Sequence, residues 1–275
     1  MILEDLKLNN KINVVDVGAA AIAEMPIYKS LVDSKIADLI AIDGDIRQKQ
    51  NIINLYNGNV CVINEFISDG KDHNLYLCSK ESGMTSLLKP DIKALSFFNG
   101  FDKFGEVIKT DKIKTKKLDS LENIGSIDFL KIDAQGSELN IICNGEESLK
   151  KCLGLQLEVS YFCLYENQPS FGEIDVYLRG KGYIPHQFLK VKRWSVKPTI
   201  FNNNFRVPGN QLLESDIIYI KNPLNLSKIQ DEELKKFALL SHHCFKSIDL
   251  CVYLILELEK RKLIEKNSHL EYLKN

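Results

Sequence analysis

Apolar runs alternate with helix-like patterns along most of the chain. The longer runs, typical of strands buried on both faces of a parallel sheet, are residues 12–17, 39–42, 59–67, 127–132 and 153–159. Helices are predicted between them over 26–34, 45–58, 137–149 and 172–179, and shorter strands over 74–78, 115–118 and 216–220. This alternation favours a doubly wound α/β sheet whose parallel strands end along one edge, where such sheets bind their ligands.

Two parts of the chain depart from this alternation. Residues 80–112 lack clear periodicity and contain four Phe between 97 and 104, so we expect an irregular insertion that covers another part of the molecule. Two amphipathic helices are predicted over 231–242 and 247–262. We therefore divide the chain into a main domain over 1–222 and a C-terminal helical extension over 223–275. Its helices either pack on the domain or join two copies of the chain as a homo-oligomer.

Composition and charge narrow the classes of function. Lys and Arg number 36 and Asp and Glu 37 among 275 residues, and the net charge of −1 gives no support to nucleic-acid binding through a basic surface. No apolar run is long enough to span a bilayer, and the N-terminus is unlike a secretory signal, so we expect a cytoplasmic protein without a transmembrane segment. The seven Cys are scattered without C-x-x-C spacing, and no metal site is predicted.

The first strand ends in a loop that can hold a ligand closely. Asp16 is followed by Gly18, Ala19 and Ala20, and these small residues let the backbone approach a bound molecule. The helix after the loop would direct free N–H groups to the same place. Because the loop lacks the G-x-G-x-x-G pattern of pyrophosphate sites, it favours a nucleoside without phosphates, and S-adenosylmethionine is the candidate that fits.

The next two strand ends add acceptor groups for the same ligand. Asp43-Gly44 follows the second strand, where a carboxylate is placed to accept both hydroxyls of a ribose. Ser68 and Asp69 follow the third strand, and Asp69 is placed to reach an adenine amino group, although this stretch is also typical of an ordinary turn. Purely structural alternatives exist for Asp16, as a helix or turn cap, and for Asp43, as part of a strand-end turn.

The fourth long strand ends in the densest polar cluster, residues 131–138. Asp133 is predicted beside the transferred group and the cofactor, and Lys131 faces the same side of the strand. Glu158 ends the following strand, so its carboxylate is expected at the same edge. Methyl transfer to a hydroxyl requires positioning and a general base, and these three residues are the catalytic candidates. A buried Lys131–Asp133 pair and a supporting hydrogen bond from Glu158 are the alternatives.

Several stretches of the chain resemble the FkbM family of methyltransferases. They are residues 127–149 and 155–183, together with D-x-G-A at 16–19, an acid at 43 and K-x-D-x-[QE]-G-x-E at 131–138. The resemblance extends over residues 12–220. It implies a class I methyltransferase fold, which is Rossmann-like with a mostly parallel seven-stranded sheet, and S-adenosylmethionine as cofactor. It also implies O-methylation, often of sugars in glycans, glycolipids or secondary metabolites, with a small-molecule or glycan acceptor.

Two positions depart from the family's usual pattern. The family usually has a second glycine a few residues into the first loop, where this chain has Ala20-Ala21-Ile22. It usually has Glu-Pro after the second strand, where this chain has Asp43-Gly44. An acid is kept, so ribose binding is still expected. The missing glycine affects how the methionine end is held.

Two other functions compete with methyl transfer. Asp43-Gly44-Asp45 is a D-x-D after an apolar strand, which a nucleotide-sugar glycosyltransferase would use to chelate Mn²⁺ and a diphosphate. A non-catalytic protein that binds the cofactor, or a partner through its C-terminal helices, would also explain the altered first loop. Residues 80–112 and 184–214 are expected to shape the acceptor pocket. Residues 192–194 are predicted as an exposed turn, with contact to a sugar or an anionic lipid headgroup as the alternative.

Overall fold

The computed structural model describes residue 3 and residues 6–19, 25–79 and 82–274. Ala20, which is predicted to contact the cofactor, lies outside the described residues, as do Ala21 and Ile22. The strands are, in chain order, β1 (Ile12–Val17), β2 (Ala37–Ile42), β3 (Cys61–Ile63), β4 (Phe66–Ile67), β5 (Asp72–Cys78), β6 (Val107–Lys116), β7 (Phe129–Ile132), β8 (Gly154–Ser160), β9 (Tyr183–Trp194) and β10 (Gln211–Lys221).

Short helices connect most of the strands, and longer ones follow the last strand. They are α1 (Lys29–Asp33), α2 (Lys49–Leu55), α3 (Ile92–Ser96), α4 (Phe101–Phe104), α5 (Glu138–Cys143), α6 (Phe171–Gly180), α7 (Asp231–His243), α8 (Ile248–Lys260) and α9 (Ser268–Tyr272). In the part of the chain described here, no helix is both long and apolar enough to cross a membrane.

Seven strands form one sheet in the order β3-β2-β1-β7-β8-β10-β9. The strands from β3 to β8 in this order are parallel, and β10 runs antiparallel to both of its neighbours. The strand order reverses between β1 and β7, which is the switch point where doubly wound sheets bind ligands. The doubly wound, mostly parallel, Rossmann-like sheet expected of a class I methyltransferase is confirmed. A smaller sheet contains β4, β6 and β5.

The apolar runs become central strands because both faces of the sheet are covered. Along β1, Ile12 and Val14 pack in the layer that contains α7 and α8, whereas Val15 and Val17 pack in the layer that contains α5 and α6. All four side chains are almost completely buried. Burial on both faces removes the polar alternation that a half-exposed strand would show, so the run is continuous in the sequence.

Helices α7 and α8 pack on the sheet and are tied to it by an ion pair. Phe237 and Leu254 are 0% exposed within the first of these layers. The Lys236 Nζ donates a hydrogen bond of 2.7 Å to Asp128 Oδ2, and the same carboxylate oxygen accepts the N–H of Asn13 at 2.8 Å. The extension therefore contacts the beginnings of β1 and β7. The boundary at residue 222 stays a prediction, and so does a contact between two copies.

Several predicted elements differ from the observed ones. The run at 59–67 forms β3 and β4, which belong to different sheets. The insertion at 80–112 contains α3, α4 and the first half of β6, so the strand predicted over 115–118 is only the end of a longer one. Helix α3 forms here because the Asp91 carboxylate caps it, accepting the N–H groups of Lys93 and Ala94 at 2.8 and 3.1 Å. The helix predicted over 137–149 ends at Cys143.

A third hydrophobic cluster covers the carboxyl end of the sheet, as expected of the insertion. It joins Phe98 and Phe101 of the insertion to Tyr165 after β8 and to Leu213 of β10. The Trp194 indole N–H donates to the Asn99 carbonyl at 2.9 Å and its ring packs edge-on against Phe101. This cluster fixes the insertion above the strand ends that carry the candidate site.

Candidate functional site

The loops after β1, β2 and β7 meet at the switch point. The N–H of Gly18 donates to the Ile42 carbonyl at 2.9 Å, and the N–H of Ala19 reaches the same oxygen at 3.3 Å. The N–H of Asp133 donates to the Val17 carbonyl at 3.0 Å. The predicted residues at these three strand ends are therefore neighbours in space.

Gly18 is required by the contact between the loops after β1 and β7. Its φ of +78° lies in the left-handed region, and a Cβ at this position would lie 1.9 Å from the carbonyl oxygen of Asp133. A side chain is excluded by both conditions. The bare backbone of Gly18 therefore packs directly on the loop that carries Asp133, and we call this junction the Gly18 cradle.

Asp16 lies beneath this cradle and is fully engaged with protein partners. It is 3% exposed. One carboxylate oxygen accepts the Lys131 ammonium at 3.1 Å, and the other accepts the hydroxyl of Tyr28, which in turn accepts the hydroxyl of Tyr56 at 3.2 Å. Burial raises the pKa of Asp16 above its usual value, and Lys131 opposes this rise. These contacts make Asp16 an anchor of the site, and its direct contact with the cofactor stays a prediction.

Lys131 is paired with Asp16 and remains charged. Burial alone would lower its pKa, but the negative charges of Asp16 and Asp133 outweigh burial and raise the pKa to about 12. The ion pair with Asp16 is buried on both sides, with side chains 13% and 4% exposed. A cation this basic does not accept a proton at neutral pH, so the ion pair suits a positioning role better than that of a base, and a catalytic role for Lys131 stays a prediction.

Asp43 presents a carboxylate at the end of β2 without a cationic partner in the described contacts. One of its oxygens accepts the N–H of Asp45 at 2.7 Å. Burial is the main reason that its pKa rises to about 6. The Asp45 carboxylate instead binds its own helical turn and forms a two-pronged pair with Arg47 at 2.6 to 3.0 Å. The two carboxylates of the D-x-D therefore make different contacts in this loop.

Ser68 and Asp69 are both engaged in local contacts. The Ser68 hydroxyl is buried and accepts the side-chain amide of Asn140 at 2.9 Å. Asp69 contacts His73 Nε2 at 2.7 Å and accepts the N–H of Lys71 at 3.0 Å. Partial burial would raise the pKa of Asp69, but these hydrogen bonds lower it to about 2. This is the geometry of the turn alternative, and adenine recognition by Asp69 stays a prediction.

Gln135 connects the two carboxylates predicted to be catalytic. Its side-chain amide donates to Asp133 Oδ1 at 3.1 Å and to Glu158 Oε2 at 3.0 Å. Its carbonyl oxygen accepts the Tyr165 hydroxyl at 2.9 Å, and its backbone carbonyl accepts the Ser86 hydroxyl at 2.6 Å. Its φ of +49° is unusual for a residue with a side chain. The insertion and the loop after β8 therefore hold Gln135 between Asp133 and Glu158.

Glu158 lies in a second buried network with charges of both signs. The Lys192 ammonium contacts Glu158 Oε1 at 3.2 Å and also binds Glu214. Burial raises the pKa of Glu158 well above its usual value, and the negative charges of Glu214 and Asp133 add to the rise, while Lys192 opposes it. Glu158 is therefore a stronger base than an exposed carboxylate.

Glu138 supports the loop after β7 from below. It is 3% exposed, and one oxygen accepts the N–H groups of Ala134 and Gly136 at 3.0 and 3.1 Å. Burial raises its pKa to about 7 despite these hydrogen bonds. The last acid of the 131–138 motif thus holds the loop that carries Asp133 and Gln135.

Sequence reasoning missed several of these residues. Gln135 lies inside the 131–138 motif, and its polar side chain at a strand end was the available signal. Lys192 was predicted on an exposed turn, which is wrong because the residue lies within β9 and pairs with two acids across the sheet. Tyr165 lies in the stretch 155–183 that resembles the family, but nothing there indicated its contact with Gln135. Tyr28 had no signal, since its path to the site depends on tertiary packing.

The residues present fit S-adenosylmethionine. The backbone of Gly18 lies directly against the loop that carries Asp133, so the ends of β1 and β7 adjoin at the switch point where a doubly wound sheet binds its ligand. Asp43 offers a half-buried carboxylate at the place where a ribose is bound in doubly wound sheets. When bound, S-adenosylmethionine supplies a methyl group on a sulfonium. Within the described residues, no three His, Cys, Asp or Glu side chains cluster as metal ligands would.

A family model described as the methyltransferase FkbM domain matches residues 27–185, more than half of the chain. No curated protein matches. The chain is similar to the magnesium protoporphyrin IX methyltransferase of Synechocystis PCC 6803, at 11% identity over 77% of this chain and 70% of that one, with a TM-score of 0.37. It is also similar to the precorrin-6y C5,15-methyltransferase of Geobacter metallireducens GS-15, at 12% identity over 80% and 84%, with a TM-score of 0.37. An uncharacterized protein of Listeria monocytogenes serotype 4b matches at 11% identity over 98% and 92%, with a TM-score of 0.37.

Replacing Gly18 by Ala should destabilise the fold more than the same change at Gly58. Both glycines have positive φ, +78° and +81°, but a Cβ on Gly58 meets nothing within 4 Å. Gly58→Ala should therefore cost only the left-handed strain of about 1–2 kcal/mol. Gly18→Ala adds the clash with the Asp133 carbonyl and should cost at least twice as much in urea unfolding. Equal losses for the two variants would show that the loops after β1 and β7 are not in close contact.

Replacing Glu138 by Gln should change the pH dependence of stability. A buried carboxyl with a pKa of about 7 contributes stability that is lost as pH rises from its unfolded pKa, about 4.5, to about 7. Gln does not ionise and has no such loss. The free energy of unfolding of Glu138→Gln should therefore rise by about 2–3 kcal/mol relative to that of the wild type between pH 4.5 and pH 8. Denaturant unfolding at both ends of this range measures the change. Glu166→Gln, an exposed acid, is the control, and a pH-independent difference for Glu138→Gln would contradict the assignment.

Proposed function

We propose that this chain, which belongs to the FkbM family of S-adenosylmethionine-dependent methyltransferases, methylates a hydroxyl oxygen of a sugar in a glycan, glycolipid or secondary metabolite. Membership of the family rests on the domain match over residues 27–185. The choice of an oxygen acceptor is supported by the chemistry of the site. A cytoplasmic location is part of the proposal.

The observation that carries the proposal is the Asp133–Gln135–Glu158 bridge beside the Gly18 cradle. The backbone of Asp133 touches the cradle, while its side chain is linked through Gln135 to Glu158. A donor held on the cradle and an acceptor held by the carboxylates would therefore be adjacent. Carboxylates and an amide are also the groups that bind sugar hydroxyls by hydrogen bonding.

In this proposal Glu158 is the general base. An acceptor hydroxyl between Asp133 and Glu158 donates its proton to Glu158 as its oxygen forms the new bond to the methyl carbon. Bound S-adenosylmethionine would supply this carbon from its sulfonium and would leave as a neutral thioether, so the hydroxyl proton is the only charge that the protein must accept. The raised pKa of Glu158 suits this task, since it makes the ionised carboxylate a stronger base than an exposed one. Asp133 orients the hydroxyl, and Lys131 neutralises the buried Asp16 below.

The two alternative functions have less support. A D-x-D metal site requires two carboxylates that converge, whereas the Asp45 carboxylate is held by Arg47 and by the N–H of that residue. A cofactor-binding protein without turnover would keep the Gly18 cradle and Asp43, but it would have no need of a bridged carboxylate pair at the acceptor side.

The test is methyl transfer from S-adenosylmethionine to a panel of sugars and glycosides. Glu158→Gln should lower kcat by about 10²–10⁴-fold, the usual contribution of a general base, while S-adenosylhomocysteine binding is kept. The base must be ionised, so the wild-type rate should fall as pH drops through the raised pKa of Glu158, and the variant should lose this fall. Glu166→Gln, on the exposed surface, is the matched control.

Two results would contradict the proposal. Full activity of Glu158→Gln would remove Glu158 from the reaction. Cofactor binding with no methylated product across the panel would favour the protein without turnover.

A further inference from the structure

One face of the sheet edge formed by β9 and β10 carries apolar side chains that solvent reaches. Phe188, Val191 and Leu212 are 50%, 44% and 37% exposed. Val191 pairs in register with Ser215 and Phe188 with Ile217, so the two side chains share a face across the bulge between them. Arg193 pairs with Leu212 and lies two residues from Val191, so the cation is on this face as well.

The loop that follows β9 also carries exposed apolar side chains. Ile200 and Phe201 are 51% and 44% exposed. The N–H of Lys197 donates to the Phe97 carbonyl at 3.0 Å, which holds the loop against the insertion. The Lys197 Nζ lies 3.6 Å from Asp102 Oδ2. Both side chains are exposed, and exposed ion pairs are weak, so Lys197 keeps most of its attraction for other anions. We define the basic–apolar surface by six residues: Phe188, Val191, Arg193, Lys197, Ile200 and Phe201.

The charge of this region differs from that of the whole chain. Residues 183–210 contain five Lys or Arg and no Asp or Glu, although the net charge of the chain is −1. Lys192 is neutralised by Glu158 and Glu214, and the other four cations are exposed. Cations interleaved with exposed Phe, Ile and Val are typical of surfaces that lie at the interface of an anionic bilayer. A second copy fits this surface poorly, because symmetric pairing would place like charges opposite each other.

We propose that the basic–apolar surface docks the protein on an anionic lipid bilayer. The cations contact lipid headgroups, and Phe188, Ile200 and Phe201 enter the boundary between headgroups and acyl chains. Strand β9 also carries Lys192, which contacts Glu158 at 3.2 Å from the face of the strand opposite to Val191 and Arg193, so the docked strand borders the acceptor side of the site. Delivery of a lipid-linked acceptor rests on the proposed function, whereas bilayer binding does not.

Co-sedimentation with vesicles tests this proposal. The full chain should bind vesicles of equal parts phosphatidylglycerol and phosphatidylcholine at least about tenfold more tightly than vesicles of pure phosphatidylcholine, since each Lys or Arg near an anionic surface is attracted to it. Arg193→Glu with Lys197→Glu should weaken this binding at least about tenfold, and about 1 M salt should release the wild type. Ile200→Ser with Phe201→Ser should weaken binding to the same vesicles without changing its salt dependence.

The control variants change the same properties elsewhere on the surface. Lys150→Glu with Lys151→Glu reverses two exposed charges just before β8, at the amino-terminal end of that strand, and Val176→Ser removes an apolar side chain that is 73% exposed. Both should bind vesicles like the wild type. Thermal unfolding and S-adenosylhomocysteine binding should be unchanged in all variants, which separates a failure of docking from a failure of the proposed function.

Three results would overturn the docking proposal. The first is no preference for anionic vesicles. The second is an equal loss of binding in the charge-reversal variant and its control. The third is a wild-type dimer in sedimentation that Ile200→Ser with Phe201→Ser converts to a monomer, without vesicle binding, because this would assign the surface to a second copy.

Discussion

The close packing of the loop after β1 on the loop after β7 is the constraint on which the site depends. Gly18 lies so near the Asp133 carbonyl that a Cβ would stand 1.9 Å from it. The same contact brings the backbone of the cradle next to the residue that begins the carboxylate bridge. Because β1 and β7 are parallel neighbours at the switch point, both loops leave the same edge of the sheet, and Gly18 allows them to touch there. In the proposed reaction this backbone contact places the donor next to the acceptor.

Charge balance is the second requirement of this edge. Asp16 and Lys131 are buried together, and Glu158 and Glu214 share Lys192. Removing one partner of a buried pair leaves an uncompensated charge, which typically costs about 3–5 kcal/mol. The two lysines therefore let several carboxylates gather at one end of the sheet. Asp43 is set apart from both pairs, and this is consistent with a carboxylate that is kept for a ligand.

The sequence predicts the centre of the sheet and the acids at its edge because buried parallel strands and their polar ends leave local signals. The runs that became β1, β2, β7 and β8 are continuous and apolar, and Asp16, Asp43 and Asp133 follow from their ends. Strand β9 was missed because its exposed edge position and its bulges remove both the apolar run and strict alternation. The position of Lys192 within this strand was missed for the same reason. Tyr165 and Tyr28 reach the site only through the folded path of the chain, so no spacing in the sequence could indicate them. The contribution of Ala20 is still a prediction.

The most direct test of this account is calorimetric titration with S-adenosylhomocysteine of the wild type, Asp43→Ala and Asp45→Ala. We expect the wild type to bind in the micromolar range, with a binding free energy of about −8 kcal/mol. Asp45→Ala should bind as tightly, because the carboxylate that it removes is paired with Arg47. Asp43→Ala, which lacks the ribose acceptor, should bind at least about tenfold more weakly, a loss of about 1.4 kcal/mol. Absence of binding by folded wild-type protein, or equal affinities of the wild type and Asp43→Ala, would contradict the placement of the cofactor at this edge of the sheet.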